Sequence, residues 1–191
     1  MSPSLNAIPP LTRAIDSFAL LCGRMVAWLI VPMVLSLVYE VVARYFFNMP
    51  TAWAYDMTFI LYGSFFMLGS AYTLMKKGHI RTDSLYAGWS PRRQGLTDAV
   101  CYLVFFFPSL AVFSWLGWEF FWKSFEQGER FVTSPWMPAA WPLKFMIPAA
   151  GVLLLVQGVS EVLKSIYAAV NDAWPQSIGR QTETVLPKDL V

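Results

Sequence analysis

Four long apolar segments constrain the fold of this 191-residue chain more than any other feature. They cover residues 18–41, 57–75, 99–121 and 145–167. A helix rises about 1.5 Å per residue, so about 20 apolar residues cross a hydrocarbon layer of about 30 Å. The segments are continuously apolar and do not alternate with period two, which favours helices over a membrane barrel. The sequence therefore predicts an all-α integral membrane protein with four transmembrane helices.

Composition leaves no room for a separate soluble module. The chain is 57% hydrophobic and 14% charged, whereas about a quarter of the residues in soluble domains are charged. The polar segments between the spans are short. We therefore predict a single membrane domain over residues 1–191, with a polar C-terminal tail over residues 175–191.

The distribution of basic residues predicts the orientation in the membrane. With four spans, both termini and the central connection share one side, which contains 10 of the 14 lysines and arginines. The opposite side contains the other four, at Arg44, Lys123, Arg130 and Lys144. Because basic residues in short loops favour the cytoplasmic side, we expect both termini in the cytoplasm.

Local signals predict several helix features. Leu11–Arg24 and Ile80–Trp89 mix apolar and charged residues and are expected to be short amphipathic helical pieces in the membrane interface. Pro32 should bend the first helix, because proline removes a backbone donor. Thr51 is a suitable N-cap for the second helix, and Ser90-Pro91 is a suitable start for the third.

Charged residues in or beside the spans need partners. Glu40 and Arg44 are four residues apart, which is a favourable spacing for an ion pair on one helix face. Asp56 follows soon after, so Arg44 and Asp56 are expected to meet in an ion pair that joins the first two helices. A proton or sodium site at these residues is the alternative. Glu119 and Lys123 have the same i, i+4 spacing and are expected to pair at the outer end of the third helix.

Tryptophan and glutamine residues offer candidate contact surfaces. The tryptophans near the predicted outer ends form either a membrane-interface belt or a surface for docking a partner; they are Trp53, Trp115, Trp118, Trp122, Trp136 and Trp141. Gln157 lies in the fourth span with Ser160 and Glu161, where hydrogen bonding between helices is expected and a partner contact is the alternative.

No catalytic, cofactor or metal site is predicted. His79 is the single histidine, which excludes a haem held by two histidines. Cys22 and Cys101 lie inside apolar segments, in no spacing typical of a metal site or disulfide framework. No nucleophile–base pair or phosphate-binding loop is recognisable, and no nucleic-acid partner is predicted.

Several motifs together resemble one transporter family. Residues 40–56 (EVVARYFFNMPTAWAYD) and 78–83 (GHIRTD) are similar to the outer hairpin and the following signature of the small Q-type permease subunit of tripartite ATP-independent periplasmic (TRAP) transporters. Further matching segments are Ser90–Arg93, Gly128–Arg130, Ser134–Trp136, Trp141–Lys144 and Leu155–Gly158. The resemblance extends over Thr12–Tyr167. Many relatives have Trp-x-Glu-Glu where this chain has Trp53-Ala-Tyr-Asp56.

The resemblance implies a role as a scaffold. Such a subunit pairs with a large membrane (M-type) subunit, which contains the substrate and sodium sites. A periplasmic solute-binding protein delivers an organic acid, and the sodium gradient drives its uptake. The chain itself then needs no cofactor and is not an enzyme. Its expected location is the bacterial inner membrane, as a multi-pass protein in the lipid bilayer with both termini cytoplasmic.

Structural and interface candidates follow from the charges, the aromatic residues and the family motifs together. They are Glu40, Arg44, Trp53, Asp56, His79, Asp83, Glu129, Arg130, Trp136, Lys144 and Gln157. The Gly128–Arg130 loop and the outer tryptophans are candidates for contact with the binding protein.

Two other functions are alternatives to the role as a transporter subunit. One is a self-sufficient small homodimeric transporter with Glu40 as its coupling carboxylate. The other is a four-helix quinone-type redox enzyme, which would need cysteine pairs or paired histidines that the sequence lacks.

Overall fold

The computed structural model describes residues 10–76, 88–132 and 134–175. Its α-helices are α1 (Pro10–Ala27), α2 (Ile30–Phe46), α3 (Ala54–Met75), α4 (Pro91–Cys101), α5 (Phe107–Glu126) and α6 (Trp141–Asn171), and a π-helical turn, Tyr102–Phe106, joins α4 to α5. Within these described ranges, the only strand-like pairing is an isolated bridge between Arg130 and Ala139. The predicted all-α class is confirmed.

Four helical segments are long and apolar enough to cross a membrane, as predicted: Pro10–Phe46, Ala54–Met75, Pro91–Glu126 and Trp141–Asn171. Each contains the corresponding predicted span, and all four extend beyond it. The first has 37 residues, which corresponds to about 55 Å at the rise of an α-helix. Since a hydrocarbon layer is about 30 Å thick, this segment must tilt or project beyond it.

The first membrane segment is interrupted just before Pro32, where the sequence predicts a bend. The break lies at residues 28–29, between α1 and α2. Proline has no N–H to donate to the carbonyl four residues earlier, and its ring also crowds that carbonyl. Here that carbonyl belongs to Trp28, and it accepts a hydrogen bond from Val31 N at 3.2 Å instead. The helix is therefore broken one turn before the proline.

Three helix ends lie near residues that commonly begin or end a helix, and two of them are formed by those residues. Ser90 has an extended backbone and Pro91 begins α4, as predicted. Gly128 ends α5 with a φ of 57°, a conformation that glycine adopts without strain, and Glu129 N donates to Ser124 O at 3.0 Å across the turn. The expectation for Thr51 is wrong, because α3 begins at Ala54 and the Thr51 hydroxyl bonds to Glu40.

The chain divides into two compact units. The first unit comprises Met1–Leu21, Ala71–Ala111 and Leu153–Val191. In it, α4 approaches α6 so closely that a Cβ on Gly95 would meet the Ser165 carbonyl oxygen, and Ala169 N at 2.7 Å. Ala168 at this contact is fully buried. Small residues thus allow two helix backbones to pack against each other.

The second unit comprises Cys22–Ser70 and Val112–Val152. Its contacts are made mainly by side chains. A Cβ on Gly63 would meet the end of the Leu143 side chain at 2.8 Å. The rings of Phe121 and Phe145 pack edge to face with their centroids 5.1 Å apart.

The beginning of helix α1 buries two polar residues and exposes several large apolar ones. Thr12 and Asp16 are buried, whereas Leu11, Phe18 and Leu21 are exposed. In water such an arrangement would be unfavourable, because apolar groups gain free energy by leaving water and polar groups lose it by burial. The exposed apolar side chains of α1 are suited to a lipid environment.

Some predictions concern residues outside the described ranges. The amphipathic piece at Ile80–Trp89 falls mostly there, as does the polar tail over residues 175–191. The extension of the membrane domain over the whole chain stays a prediction.

Candidate functional site

A buried polar cluster occupies the first unit. Gln157, Ser160, Glu161 and Lys164 follow one another along α6 at a spacing that places them on one face of the helix. Asp16 of α1 faces them. None of these five residues is more than 4% exposed, and we call them the Asp16 cluster.

The hydrogen bonds of the Asp16 cluster converge on one carboxylate. Lys164 Nζ lies 2.9 Å from Asp16 Oδ1 and Oδ2, and 2.7 Å from Glu161 Oε1. Ser160 Oγ donates to Asp16 Oδ1 at 2.8 Å, and Gln157 Nε2 donates to the same oxygen at 3.1 Å. A buried charge is tolerated when it is paired and hydrogen-bonded. The cluster therefore fastens α1 to α6.

Only part of the Asp16 cluster is predictable from the sequence. Gln157 was a candidate, and its expected hydrogen bonding between helices is confirmed by its bond to Asp16. Asp16 and Lys164 were missed as site residues. The sequence does show polar residues three and four positions apart within an otherwise apolar span, which indicates a polar face on that helix. The identity of the facing residue was not available, since it lies 148 positions from Lys164.

In the second unit, Glu40 ties the helix α2 to the connection that follows it. Arg44 Nε donates to Glu40 Oε1 at 2.9 Å, so the predicted pairing is confirmed. Thr51 donates to Glu40 Oε2 with both its backbone N–H, at 2.9 Å, and its hydroxyl. One carboxylate thus holds a side chain one turn away and a backbone 11 positions away.

The expected contact between Arg44 and Asp56 is not formed. Arg44 is paired with Glu40 on its own helix. Asp56 is buried and accepts a hydrogen bond from the hydroxyl of Ser134. The prediction failed because the loop residue Ser134 lies close to Asp56 in space and 78 positions away in sequence.

The connection between α5 and α6 is held by an ion pair and backbone bonds. Lys144 Nζ pairs with Glu129 and lies 3.9 Å from the centroid of the Phe120 ring. Ala140 N donates to Glu129 O at 2.9 Å, and Arg130 Nη1 donates to Met137 O at 3.2 Å. The Lys144 ammonium holds the pKa of the Glu129 carboxyl below its ordinary value. Glu129 and Lys144 are thus brought together, and Arg130 bonds to the backbone of the same connection.

The aromatic candidates differ in their surroundings. The Trp53 ring lies against Tyr39, with centroids 5.6 Å apart. Trp136, in the connection before α6, is exposed. His79 and Asp83 lie outside the described residues.

Two Trp–Glu pairs lie on α5. Trp115 Nε1 donates to Glu119 at 3.0 Å, and Trp122 Nε1 donates to Glu126 at 2.8 Å. Within the described part of the chain, Lys123 forms no salt bridge with either glutamate, so the expected Glu119–Lys123 pair is wrong. The Glu119 carboxylate accepts a hydrogen bond from the indole N–H of Trp115 instead of pairing with the ammonium of Lys123.

The described residues contain no group of three or more His, Cys, Asp or Glu side chains that could hold a metal ion. Cys22 and Cys101 are free thiols. What the polar side chains do in this structure is join helices and order connections.

Comparison with known proteins supports the resemblance noted in the sequence. Residues 33–167 match the model of the family described as the DctQ component of tripartite ATP-independent periplasmic transporters. A search of curated proteins finds no match. The matched region covers more than half of the chain and includes α3 to α5 and most of α2 and α6. The chain belongs to the DctQ family, the small component of TRAP transporters.

Proposed function

We propose that this chain braces the large membrane subunit of a sodium-driven TRAP importer. The observation that carries the proposal is the family match over residues 33–167. In this proposal the large subunit contains the substrate and sodium sites. A periplasmic binding protein delivers an organic acid to it, and the present chain keeps the fixed part of the assembly in place.

The contacts of the charged residues support a bracing role. Asp16 and Glu161 are both bonded to Lys164, and Glu40 is bonded to Arg44 and Thr51. A coupling carboxylate has to exchange its partners during transport. Carboxylates that are engaged with their own chain are suited to holding helices together, because separating them costs free energy.

The Glu129–Lys144 connection and Trp136 are proposed to contact the binding protein. This connection is ordered by backbone hydrogen bonds, and the Trp136 ring is exposed. Exposed aromatic residues on a rigid support are effective anchors for a protein partner. A photoreactive amino acid at position 136 should capture the binding protein. Capture of lipid or of the large subunit alone would contradict this contact.

The proposed location is the bacterial inner membrane, with both termini in the cytoplasm. A cysteine introduced at Gln127 should react with a membrane-impermeant maleimide in intact spheroplasts. A cysteine introduced at Gly88 should react only after the membrane is permeabilised. The reverse pattern would overturn the orientation.

Reconstitution tests the function itself. Liposomes should accumulate an organic acid only when they contain this chain and the large subunit, with the binding protein outside and an inward sodium gradient. We expect no transport by this chain alone, and no cofactor or catalytic activity is assigned to it. Transport by the purified chain alone would overturn the bracing role and favour the homodimeric transporter.

A further inference from the structure

Helix α5 carries an exposed stripe of aromatic and acidic side chains. It consists of Trp115, Trp118, Glu119, Trp122 and Glu126, and we call it the Trp/Glu stripe. Trp115 is 69% exposed and Trp122 is 45% exposed. The spacing of three and four residues places these side chains along one side of the helix.

The stripe repeats one arrangement after seven residues. In each copy an indole N–H donates to a carboxylate four positions later, at 3.0 Å for Glu119 and 2.8 Å for Glu126. Two helical turns separate the two carboxylates, which corresponds to about 10 Å along the axis. The Trp118 and Trp122 rings are stacked, with their centroids 6.0 Å apart. Neighbouring side chains thus hold the stripe in a defined shape.

The negative charge of the stripe is not neutralised by its own helix. Lys123 is the only basic residue of α5, and it pairs with neither glutamate in the described structure. Glu126 is the last residue of α5, where the helix dipole disfavours negative charge. An indole N–H is a neutral donor and leaves the charge of each carboxylate in place.

Glu119 lies within the predicted span of residues 99–121, where its charge is costly, and Glu126 lies just beyond that span. Helix α5 belongs to a segment long and apolar enough to cross a membrane, and the flanking Leu116 and Phe120 are exposed. An acidic side chain in or beside a membrane span needs a cationic partner or a position at the interface. Arginine fits best, since its guanidinium binds carboxylates and stacks on tryptophan rings.

We propose that the Trp/Glu stripe docks a membrane-spanning helix of the large subunit that carries arginines or lysines seven positions apart. The inference rests on the proposed function and specifies its interface. Glu119 and Glu126 are held at a fixed spacing, and a helix can present two basic residues at the same spacing. Such a rigid partner loses less conformational entropy on binding than mobile lipid headgroups do.

Co-purification of the large subunit with the tagged chain tests this docking. Loss of one member of an interfacial charge pair weakens binding strongly, so Glu119→Gln with Glu126→Gln should lower recovery of the large subunit by at least about tenfold. The matched control is Lys123→Gln on the same helix, which should keep recovery within about twofold. All variants should retain the melting temperature of the wild-type chain, because the stripe faces outward.

A charge exchange and a cross-link decide the identity of the occupant. Glu119→Arg with Glu126→Arg should abolish recovery, and changing the matching basic residues of the large subunit to glutamate should restore it. A photoreactive amino acid at position 115 should capture the large subunit. Capture of lipid only, with recovery unaffected by the glutamine changes, would overturn the docking surface and leave the proposed function intact. If the wild-type chain recovers no large subunit, both fail.

Discussion

Two lysines show how differently the two units use the same chemistry. In the first unit, Lys164 and the carboxylates of Asp16 and Glu161 are almost completely buried. In the second unit, the Lys144 side chain is 13% exposed and its partner Glu129 is 42% exposed. A buried pair cannot be replaced by water when one member is removed, whereas an exposed pair can. We therefore expect the ion pairs of the first unit to make a large contribution to the free energy of unfolding, and those of the second unit to make a small one.

The largest expected effect is at Lys164. Lys164→Met leaves two buried carboxylates without their cation and should lower the free energy of unfolding by about 3–5 kcal/mol. Unfolding by SDS in mixed micelles measures the change. Lys144→Met in the second unit should have a much smaller effect. Equal effects of the two variants would remove the distinction between the units.

The next largest effect compares a glycine that packs against backbone atoms with one that packs against a side chain. Gly95→Ala places a Cβ against the backbone of Ser165 and Ala169 in the first unit, and overpacking of this kind costs about 1–3 kcal/mol. Gly63→Ala in the second unit meets only the movable end of Leu143. The same SDS titration should therefore show a smaller loss for Gly63→Ala. Gly69→Ala is the control, because nothing lies within 4 Å of its added Cβ.

A local effect is expected at the Glu40 contact in the second unit. Glu40→Gln removes the charge that binds the Thr51 backbone and hydroxyl, so the Thr51 amide should exchange its hydrogen faster. Hydrogen exchange followed by mass spectrometry on the peptide around Thr51 measures this change. Arg44→Gln is the matched variant, since it leaves the Thr51 contact in place. Unchanged exchange in Glu40→Gln would show that the connection is held by other groups.

The smallest effect is expected from Glu129, and it depends on pH. Its folded-state pKa is lowered by Lys144, so the ion pair stabilises the protein fully above the ordinary carboxyl pKa of about 4.3. That contribution is lost as the pH falls through the lowered pKa, because protonation then abolishes the pair. The melting temperatures of wild type and Glu129→Gln should therefore differ slightly at neutral pH and converge in acid. A difference that grows in acid would contradict the assignment.

Local patterns in the sequence were sufficient for the helices, because their formation in lipid depends on consecutive apolar residues. The effect of Pro32 and the start of α4 at Ser90-Pro91 were also predictable, since both depend on neighbours within one turn. The pairing of Glu40 with Arg44 was predictable for the same reason, because the two residues are one helical turn apart. The first span was predicted too short because charged residues such as Asp16 and Arg44 interrupt the apolar pattern while the helical segment continues.

Contacts between distant parts of the chain were not predictable from spacing. Asp56 was assigned to Arg44, and its hydrogen bond comes from Ser134, 78 positions away. Glu119 was assigned to Lys123, and the Trp115 indole on the preceding turn reaches it instead. In the first case the loop conformation decides the partner. In the second, two residues at the same spacing compete for one carboxylate, and periodicity cannot rank them.

The separation of Asp16 from Lys164 has a consequence for biosynthesis. The ribosome makes the lysine 148 positions after the aspartate, which takes roughly 7–30 s at about 5–20 residues per second. Until then Asp16 lacks the cation that binds both of its carboxylate oxygens in the folded chain. Synthesis of α6 supplies this cation, so the contact between α1 and α6 can form only after the last helix has been made. A nascent chain that stops before Lys164 therefore cannot fasten α1 to α6 through this cluster.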